Sequence, residues 1–374
     1  MDTLPTAREI PFFSYRRAFL EDEEAYVAIF RDVLERGAFI DQRDLHDFER
    51  RVAEYLGVKH AIGVGNATDG LTMSWRDIGL RPGDEVIFPS HTMVASPASV
   101  HFAGGIPVPV EIAEDGLLDP DALEAAVNSR TVGVMPVHLN GRTCEMGRIM
   151  EIADRCGLAV VEDAAQALGS KFQGRLAGTF GKAGVFSFYP AKILGGMGDG
   201  GMVVTDINGT AERIRLARDH GRTDDGDVRC WGMNSRLDNL QAAILDHQFK
   251  DYGRIVSRRR ELAANYHREL EGLEQLVLPP APDSDPDHFD VFQNFELQAE
   301  RRDDLRAHLK EHGVGTLVQW GGKAVHQWRE LGIDLVLPKT ERFFERCLML
   351  PMNMTLDDED VGYIADVVRG FYGR

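Results

Sequence analysis

The chain has 374 residues, of which 42 are Lys or Arg and 60 are Asp or Glu, so its formal net charge is −18. This acidic surplus disfavours nucleic-acid binding, which needs local positive charge, but it leaves room for a small phosphorylated ligand. No segment approaches the ~18 consecutive apolar residues of a membrane span, and the N-terminal MDTLPTAREI lacks signal-peptide features. The four cysteines (Cys144, Cys156, Cys230 and Cys347) form no CxxC or disulfide pattern. We therefore expect a cytoplasmic protein without nucleic-acid or membrane partners.

The central part of the chain alternates two hydrophobic patterns. Between about residues 41 and 205, short apolar runs typical of buried strands alternate with amphipathic stretches of helical period. The predicted helices span about 41–55, 68–78, 94–103, 120–127 and 146–156, and the predicted strands span 60–65, 85–88, 106–110, 131–137, 158–161, 185–188 and 202–205. This alternation indicates an α/β fold with a mainly parallel sheet and helices on both faces.

The last third of the chain has a different pattern. Longer helices are predicted at about 210–220 and 238–270, a proline-rich loop follows at 279–286, and an α+β unit comes next, with strands at 294–297 and 316–318 and helices at 301–312 and from 357. We place a domain boundary near residue 250. The prediction is a large domain, 1–250, with an N-terminal arm, and a small α+β domain, 251–374.

The glycine-rich run at 195–201 contains a formal G-x-G-x-x-G pattern. A dinucleotide-binding loop requires this pattern to open a helix, whereas here it enters the predicted strand 202–205. This disfavours a nicotinamide oxidoreductase. The glycines more simply let the backbone pass close to a neighbouring segment.

A better candidate for phosphate binding is GNATDGL at residues 65–71. It lies where a predicted strand ends and a helix begins, so free amides and the positive end of the helix dipole converge there. The alternative is an ordinary helix cap by Thr68 or Asp69.

Two other strand ends carry reactive side chains. EDAAQ places Asp163 at the carboxyl end of strand 158–161, where open α/β sheets bind ligands, and FSFYPAK places Ser187 and Lys192 after the next strand. An Asp can keep a pyridine nitrogen protonated, and a deprotonated Lys can form a Schiff base with an aldehyde. Each residue alone is more often structural. Together with the phosphate loop they predict a pyridoxal phosphate (PLP) site.

These segments resemble the DegT/StrS-type family of sugar aminotransferases, which are fold-type-I PLP enzymes. The matching segments are GNATDGL (65–71), PSHTMVAS (89–96), VVEDAAQALGS (160–170), FSFYPAKILGGMGDGGMVVT (186–205) and GMNSRLDNLQAAIL (232–245). The resemblance implies a large domain with a mainly parallel mixed sheet flanked by helices, and a smaller C-terminal α+β domain.

The resemblance also implies roles for individual residues. Lys192 and Asp163 would be catalytic. Lys192 would bind the cofactor as a Schiff base and transfer the proton during the reaction, and Asp163 would pair with the pyridine nitrogen. Gln166 would contact the ring hydroxyl of the cofactor. Its phosphate would be bound by Thr68, Ser187 and the backbone at Ala67 and Asp69. The resemblance also implies a homodimer with shared active sites, in which the partner subunit's Asn234 contacts the phosphate. Candidate substrate residues, each with a structural alternative, are His220, Arg236, Tyr189 and His326. No metal is implied.

The implied reaction moves an amino group, with glutamate as donor, to a keto group of a nucleotide-linked deoxysugar. The cofactor alternates between PLP and pyridoxamine phosphate. Two positions depart from the family pattern. Met93 stands where an aromatic residue usually stacks on the cofactor ring, and residues 320–326 replace a proline-containing stretch that shapes the substrate pocket.

The sequence allows four other interpretations to be compared with this one. A PLP dehydratase is disfavoured because the dehydrating branch of the family has a histidine at the position of Lys192. A non-catalytic PLP- or sugar-binding regulator stays open. His308 and His312 have a spacing that two zinc ligands can use, but no third ligand accompanies them, and no cysteine lies in a hydrolase nucleophile turn.

Overall fold

A seven-stranded sheet lies at the centre of the computed structural model, which describes residues 8–373. The first seven residues, part of the segment without signal-peptide features, and Arg374 lie outside the described residues. The first nine strands are β1 (His60–Val64), β2 (Glu85–Pro89), β3 (Ile106–Val110), β4 (Thr131–Val134), β5 (Ala159–Asp163), β6 (Lys171–Phe172), β7 (Arg175–Leu176), β8 (Ala183–Ser187) and β9 (Gly201–Thr205).

The order of the large sheet is β1-β9-β8-β5-β4-β2-β3. Strand β9 is antiparallel to its neighbours β1 and β8, and the other pairings are parallel. The predicted mainly parallel mixed sheet is confirmed. Because β1, β5 and β8 run in the same direction, their carboxyl ends meet at one edge of the sheet.

Helices cover both faces of this sheet. They are α1 (Tyr15–Leu20), α2 (Glu23–Arg36), α3 (Arg43–Leu56), α4 (Ala67–Ile78), α5 (Ala95–Ala103), α6 (Pro120–Ala126), α7 (Met146–Cys156), α8 (Asn208–Arg218) and α9 (Asn239–Phe249). Side chains of α4 to α8 form the core on one face, and those of α3 and α9 form it on the other. In α3, the buried Leu45, Phe48, Val52 and Leu56 recur with helical spacing, and Gly57 ends the helix at a φ of 69°.

The rest of the chain forms the smaller α+β unit. Its elements are α10 (Tyr252–Leu270), β10 (Leu276–Val277), β11 (His288–Phe289), β12 (Phe295–Ala299), α11 (Arg302–Glu311), α12 (Pro338–Arg346), β13 (Cys347–Leu350) and α13 (Asp358–Phe371). Strands β10, β12 and β13 form an antiparallel sheet, and α10, α11 and α13 share its core. Strand β11 instead pairs with β6, so a small sheet of β11, β6 and β7 joins the two parts.

The single helix predicted over 238–270 is wrong. The chain forms two helices, α9 and α10, with Lys250 and Asp251 between them. The two helices have different packing partners. Helix α9 packs against α3, which covers the large sheet, whereas α10 packs against α13. The domain boundary near residue 250 stays a prediction.

The strand predicted over 316–318 is also wrong. Leu317 makes only an isolated antiparallel bridge to Met349, and β13 takes the place beside β12. The chain turns away because Trp320, Gly321 and Gly322 all have positive φ angles. Helices α1, α2 and α12 were not predicted either. Among residues 8–373, no helix combines the length and the apolar character needed to cross a bilayer.

Candidate active site

The start of α4 lies at the edge where β1 ends. Asn66 caps this helix, because its Oδ1 accepts from the Asp69 amide at 2.8 Å and its Nδ2 donates to Asp69 Oδ2 at 3.0 Å. The cap is therefore Asn66, not Thr68 or Asp69, and the Asp69 amide that was predicted to bind phosphate is already engaged. The amides of Ala67 and Thr68, in the first turn, have no acceptor within the helix and face a ligand more readily.

The glycine run passes directly beside this helix start. A Cβ built on Gly201 would lie 2.6 Å from the carbonyl carbon of Asn66 and 2.7 Å from the Ala67 nitrogen. The run enters strand β9, so the prediction that these glycines serve close backbone approach rather than a dinucleotide is confirmed. Gly201 lets the peptide between Asn66 and Ala67 lie against the end of the sheet.

Asp163 ends β5 and is buried, with 5% of its surface exposed. Ser96 Oγ of α5 donates to its Oδ2 at 2.7 Å, and the Ala165 amide donates to its Oδ1 at 3.1 Å. The Ser96 hydroxyl also lies 2.6 Å from Thr92 Oγ1. Sequence reasoning missed Ser96 and Thr92, although both stand in the PSHTMVAS segment. They hold the carboxylate in one orientation.

Lys192 lies in the loop between β8 and β9, residues 188–200, which we call the lysine loop. The Lys192 amide donates to the Tyr189 carbonyl at 2.8 Å. Burial lowers the pKa of the Lys192 amine from its ordinary value of 10.5 to about 8, and the nearby negative charge of Asp163 opposes this shift. The fold therefore brings the two predicted catalytic residues together, although they come from different strands. An amine with a pKa near 8 is partly neutral at physiological pH and can exchange protons there.

Gln166 has a fixed orientation. Its Oε1 accepts from the Asn140 amide at 2.9 Å and lies 3.4 Å from Asn294 Nδ2. Since the oxygen is engaged, the amide nitrogen is the atom left to donate to a ligand oxygen, as predicted for the ring hydroxyl. Asn140 in turn donates through Nδ2 to the buried Glu296 at 2.7 Å, which extends this network into the smaller α+β unit.

The other predicted contacts are less enclosed. Ser187, at the end of β8, is half-buried, and its Oγ lies 3.3 Å from the Tyr189 amide. Met93 and Tyr189 are about half exposed, at 52% and 53%. Burial raises the pKa of Tyr15, a residue of the predicted arm, and the charge of Tyr189 raises it further.

Three predicted residues meet after α8. The exposed Asn234 forms an antiparallel bridge with Asp219, which directly precedes the exposed His220. Arg236 donates to Asp219 Oδ1 at 2.6 Å, so its charge is already paired. A role for Arg236 in binding an anionic substrate would require Asp219 to share it.

His326 departs most from its predicted substrate role. It is buried, its Nδ1 lies 2.7 Å from Ser90 Oγ, and its Nε2 lies 3.2 Å from Glu341 Oε1. Both ring nitrogens are therefore engaged, and the ring links the residues after β2 to α12. A substrate contact would have to replace one of these bonds.

Comparison with known proteins agrees with this geometry. The profile of the DegT/DnrJ/EryC1/StrS aminotransferase family matches residues 21–369. The chain belongs to this family. It is 40% identical over 371 residues to a dTDP-3-amino-3,4,6-trideoxy-alpha-D-glucose transaminase of Streptomyces venezuelae, covering 98% of this chain and 97% of that protein.

Two solved structures are similar throughout. S. venezuelae DesV, solved with a ketimine intermediate, superposes with a TM-score of 0.93 at 39% identity, and the match covers 98% of this chain and 99% of that one. Bacillus subtilis NtdA, solved with bound pyridoxamine phosphate, has a TM-score of 0.88 at 28% identity over 99% and 87% of the two chains. The fold is thus that of a DegT-family aminotransferase, as predicted.

The residues of this DegT-family chain fit PLP, the cofactor of the family. The amides of the first turn of α4 can donate to a phosphate. A side chain at position 201 would collide with the peptide between Asn66 and Ala67 at the start of this turn. Asp163, held by Ser96, would contact the pyridine nitrogen, and the Gln166 amide would contact the ring hydroxyl. The Lys192 amine is close enough to Asp163 for the carboxylate charge to raise its pKa.

Proposed function

We propose that this DegT-family aminotransferase moves an amino group from glutamate to a keto group of a nucleotide-linked deoxysugar. The observation that carries the proposal is the pairing of Lys192, with a pKa of about 8, and Asp163 at the edge of the sheet beside the start of α4. The substrate class is supported by the name of the S. venezuelae transaminase, which matches this chain over nearly its whole length.

Each residue has a defined task in this reaction. When bound, PLP supplies a protonated ring that stores the electron pair released at the amino-bearing carbon. Asp163 keeps the ring nitrogen protonated, and Ser96 keeps the Asp163 carboxylate aimed. Lys192 would accept the proton from one reacting carbon and return it to the other, and the burial that lowers its pKa favours the neutral amine that this transfer needs. The amides of Ala67 and Thr68 hold the phosphate.

A homodimer with shared active sites is part of the proposal. Val27, Phe30 and Leu34 form an apolar stripe along one face of α2, and each is 45–50% exposed. Such a stripe suits burial against a second copy of the chain. The exposed Asn234 is free to reach the partner's phosphate site, as the family resemblance implies.

A cytoplasmic location is also proposed. It is supported by the four cysteines, all of which are free thiols, two of them buried.

The experiment that tests the function follows isotopic nitrogen. The PLP-loaded chain is incubated with ¹⁵N-glutamate and a panel of nucleotide-linked keto-sugars, and the products are analysed by mass spectrometry. We expect ¹⁵N in one amino-sugar product with the wild-type chain and none with Lys192→Ala. A chain that binds PLP but transfers ¹⁵N from glutamate to no sugar of the panel would contradict the proposal and favour a binding or regulatory role.

A further inference from the structure

The side chain of Gln293 contacts the main chain on both sides of Lys192. Its Oε1 accepts from the Ile193 amide at 2.6 Å, and its Nε2 donates to the Ala191 carbonyl at 2.8 Å. Gln293 lies two residues before β12, in the smaller part of the chain, and only 5% of it is exposed. One buried side chain thus satisfies a donor and an acceptor that no neighbouring strand reaches.

Gln293 is itself held from two directions. Buried Arg259 of α10 donates to the carbonyls of Phe292 at 3.0 Å, Gln293 at 3.1 Å and Met352 at 2.9 Å. On the other side Gly141 lies so close that a Cβ there would be 2.6 Å from the amide nitrogens of both Phe292 and Gln293. The Gln293 backbone therefore has little freedom to move.

The lysine loop needs such support. Gly195 and Gly196 follow Lys192 closely, and glycines leave a loop with more conformational freedom than other residues do. Lys192 must nevertheless bring its amine to one place, because misplacement of a reacting group by about 1 Å can cost roughly 100-fold in rate.

We propose that Gln293 is a positioning residue for Lys192, through which the small domain fixes the lysine loop against the edge of the large sheet. This proposal rests on the proposed function of Lys192. Without the two Gln293 hydrogen bonds, the loop becomes more mobile. The Lys192 amine is then more hydrated, and its distance to Asp163, the carboxylate that interacts with its charge, is no longer fixed.

The test compares Gln293→Met, which keeps the side-chain volume but removes both hydrogen bonds, with Tyr363→Phe. Tyr363→Phe is the control because it removes the hydrogen bond from the Tyr363 hydroxyl of α13 to the His312 carbonyl at 2.9 Å, which involves neither Gln293 nor the groups that hold it. Two quantities are measured: kcat and KM of the loaded enzyme, and the pH midpoint for labelling of Lys192 by acetic anhydride in the cofactor-free chain. The second readout needs no bound cofactor.

For Gln293→Met we expect kcat to fall by about 10- to 100-fold with KM within about threefold. We expect the Lys192 labelling midpoint to rise by roughly half a pH unit or more, because the amine is less buried. Should Gln293→Met fold poorly, Gln293→Leu, which also removes both hydrogen bonds and adds no charge, decides by the same two readouts.

Wild-type kcat and an unchanged labelling midpoint in a folded Gln293→Met variant would overturn the proposal. Equal losses in Tyr363→Phe would do the same, because they would reflect general destabilisation. If the wild-type chain transfers no amino group, the proposed function fails, yet the labelling midpoint still decides whether Gln293 positions Lys192.

Discussion

Ser96 Oγ donates to Asp163 Oδ2 at 2.7 Å, a hydrogen bond between α5 and the end of β5 across 67 residues of sequence. Both groups are buried, so the carboxylate depends on this hydroxyl for its orientation. A hydrogen bond to a charged group contributes about 1.5–3 kcal/mol. The arrangement therefore fixes the carboxylate that we propose keeps the cofactor's ring nitrogen protonated.

Replacing Ser96 by Ala should lower kcat/KM about tenfold, because Asp163 would lose one of its two fixed donors. Steady-state kinetics and PLP titration measure the effect. Ser170→Ala is the control, since the buried Ser170 hydroxyl bonds Thr143 and the Ala167 carbonyl instead. Wild-type kinetics in Ser96→Ala would show that Asp163 does not need this bond.

The lowered pKa of Lys192 predicts how stability depends on pH in the cofactor-free chain. Between pH 8 and 10.5 the unfolded chain binds the Lys192 proton more tightly than the folded chain does, so stability rises with pH there. Below pH 8 the folded chain holds a charged buried amine, at a cost of up to about 3 kcal/mol.

Lys192→Met should accordingly be more stable than wild type at pH 7, by up to about 3 kcal/mol, and the difference should shrink towards zero near pH 10.5. Urea unfolding of both chains across this range measures it. Lys323→Met, at an exposed position, serves as the control and should show no such trend. A pH-independent difference for Lys192→Met would contradict the lowered pKa.

Gly201→Ala should weaken PLP binding by at least about tenfold, because the added Cβ would displace the peptide between Asn66 and Ala67. Titration of the cofactor-free chain with PLP measures the dissociation constant. Gly253→Ala is the matched control, since a Cβ there meets nothing within 4 Å, and in α10 it should add up to about 1 kcal/mol of stability. Equal PLP affinity in both variants would refute the role of Gly201.

Shared active sites predict complementation between two inactive chains. Lys192→Ala and Asn234→Ala should each be inactive or nearly so. Mixing and refolding equal amounts should restore roughly a quarter of wild-type activity, because half of the dimers would be mixed and each would keep one intact site. No recovery in dimers shown by native mass spectrometry to be mixed would place Asn234 outside the partner's site.

The central strands, and the positions of Asp163 and Lys192 relative to them, could be predicted because the information is contiguous in the sequence. Apolar runs predict the strands, Asp163 ends one of them, and Lys192 lies five residues after the end of another. Parallel strands then place both at one edge. The same reasoning distinguishes the glycine run at 195–201 from a dinucleotide-binding loop, because the run precedes a strand and not a helix.

What the sequence could not predict depends on distant contacts. Ser96 reaches Asp163 across 67 residues, and Gln293 reaches Ile193 across 100, so neither pairing leaves a local pattern. At the break between α9 and α10 the main packing partner changes from α3 to α13, and helical periodicity alone does not predict that change. His326 is a further case, since it lies in a segment that departs from the family pattern, and its contacts with Ser90 after β2 and Glu341 of α12 leave no local pattern either.

The most direct test of the central claim is the covalent attachment of the cofactor. The PLP-loaded chain is treated with borohydride, before or after addition of glutamate, and its peptides are mapped by mass spectrometry. The account predicts the reduced cofactor on Lys192 alone before glutamate, and little or none after glutamate has converted the cofactor to pyridoxamine phosphate. Attachment to another lysine, or attachment to Lys192 that glutamate does not diminish, would contradict it.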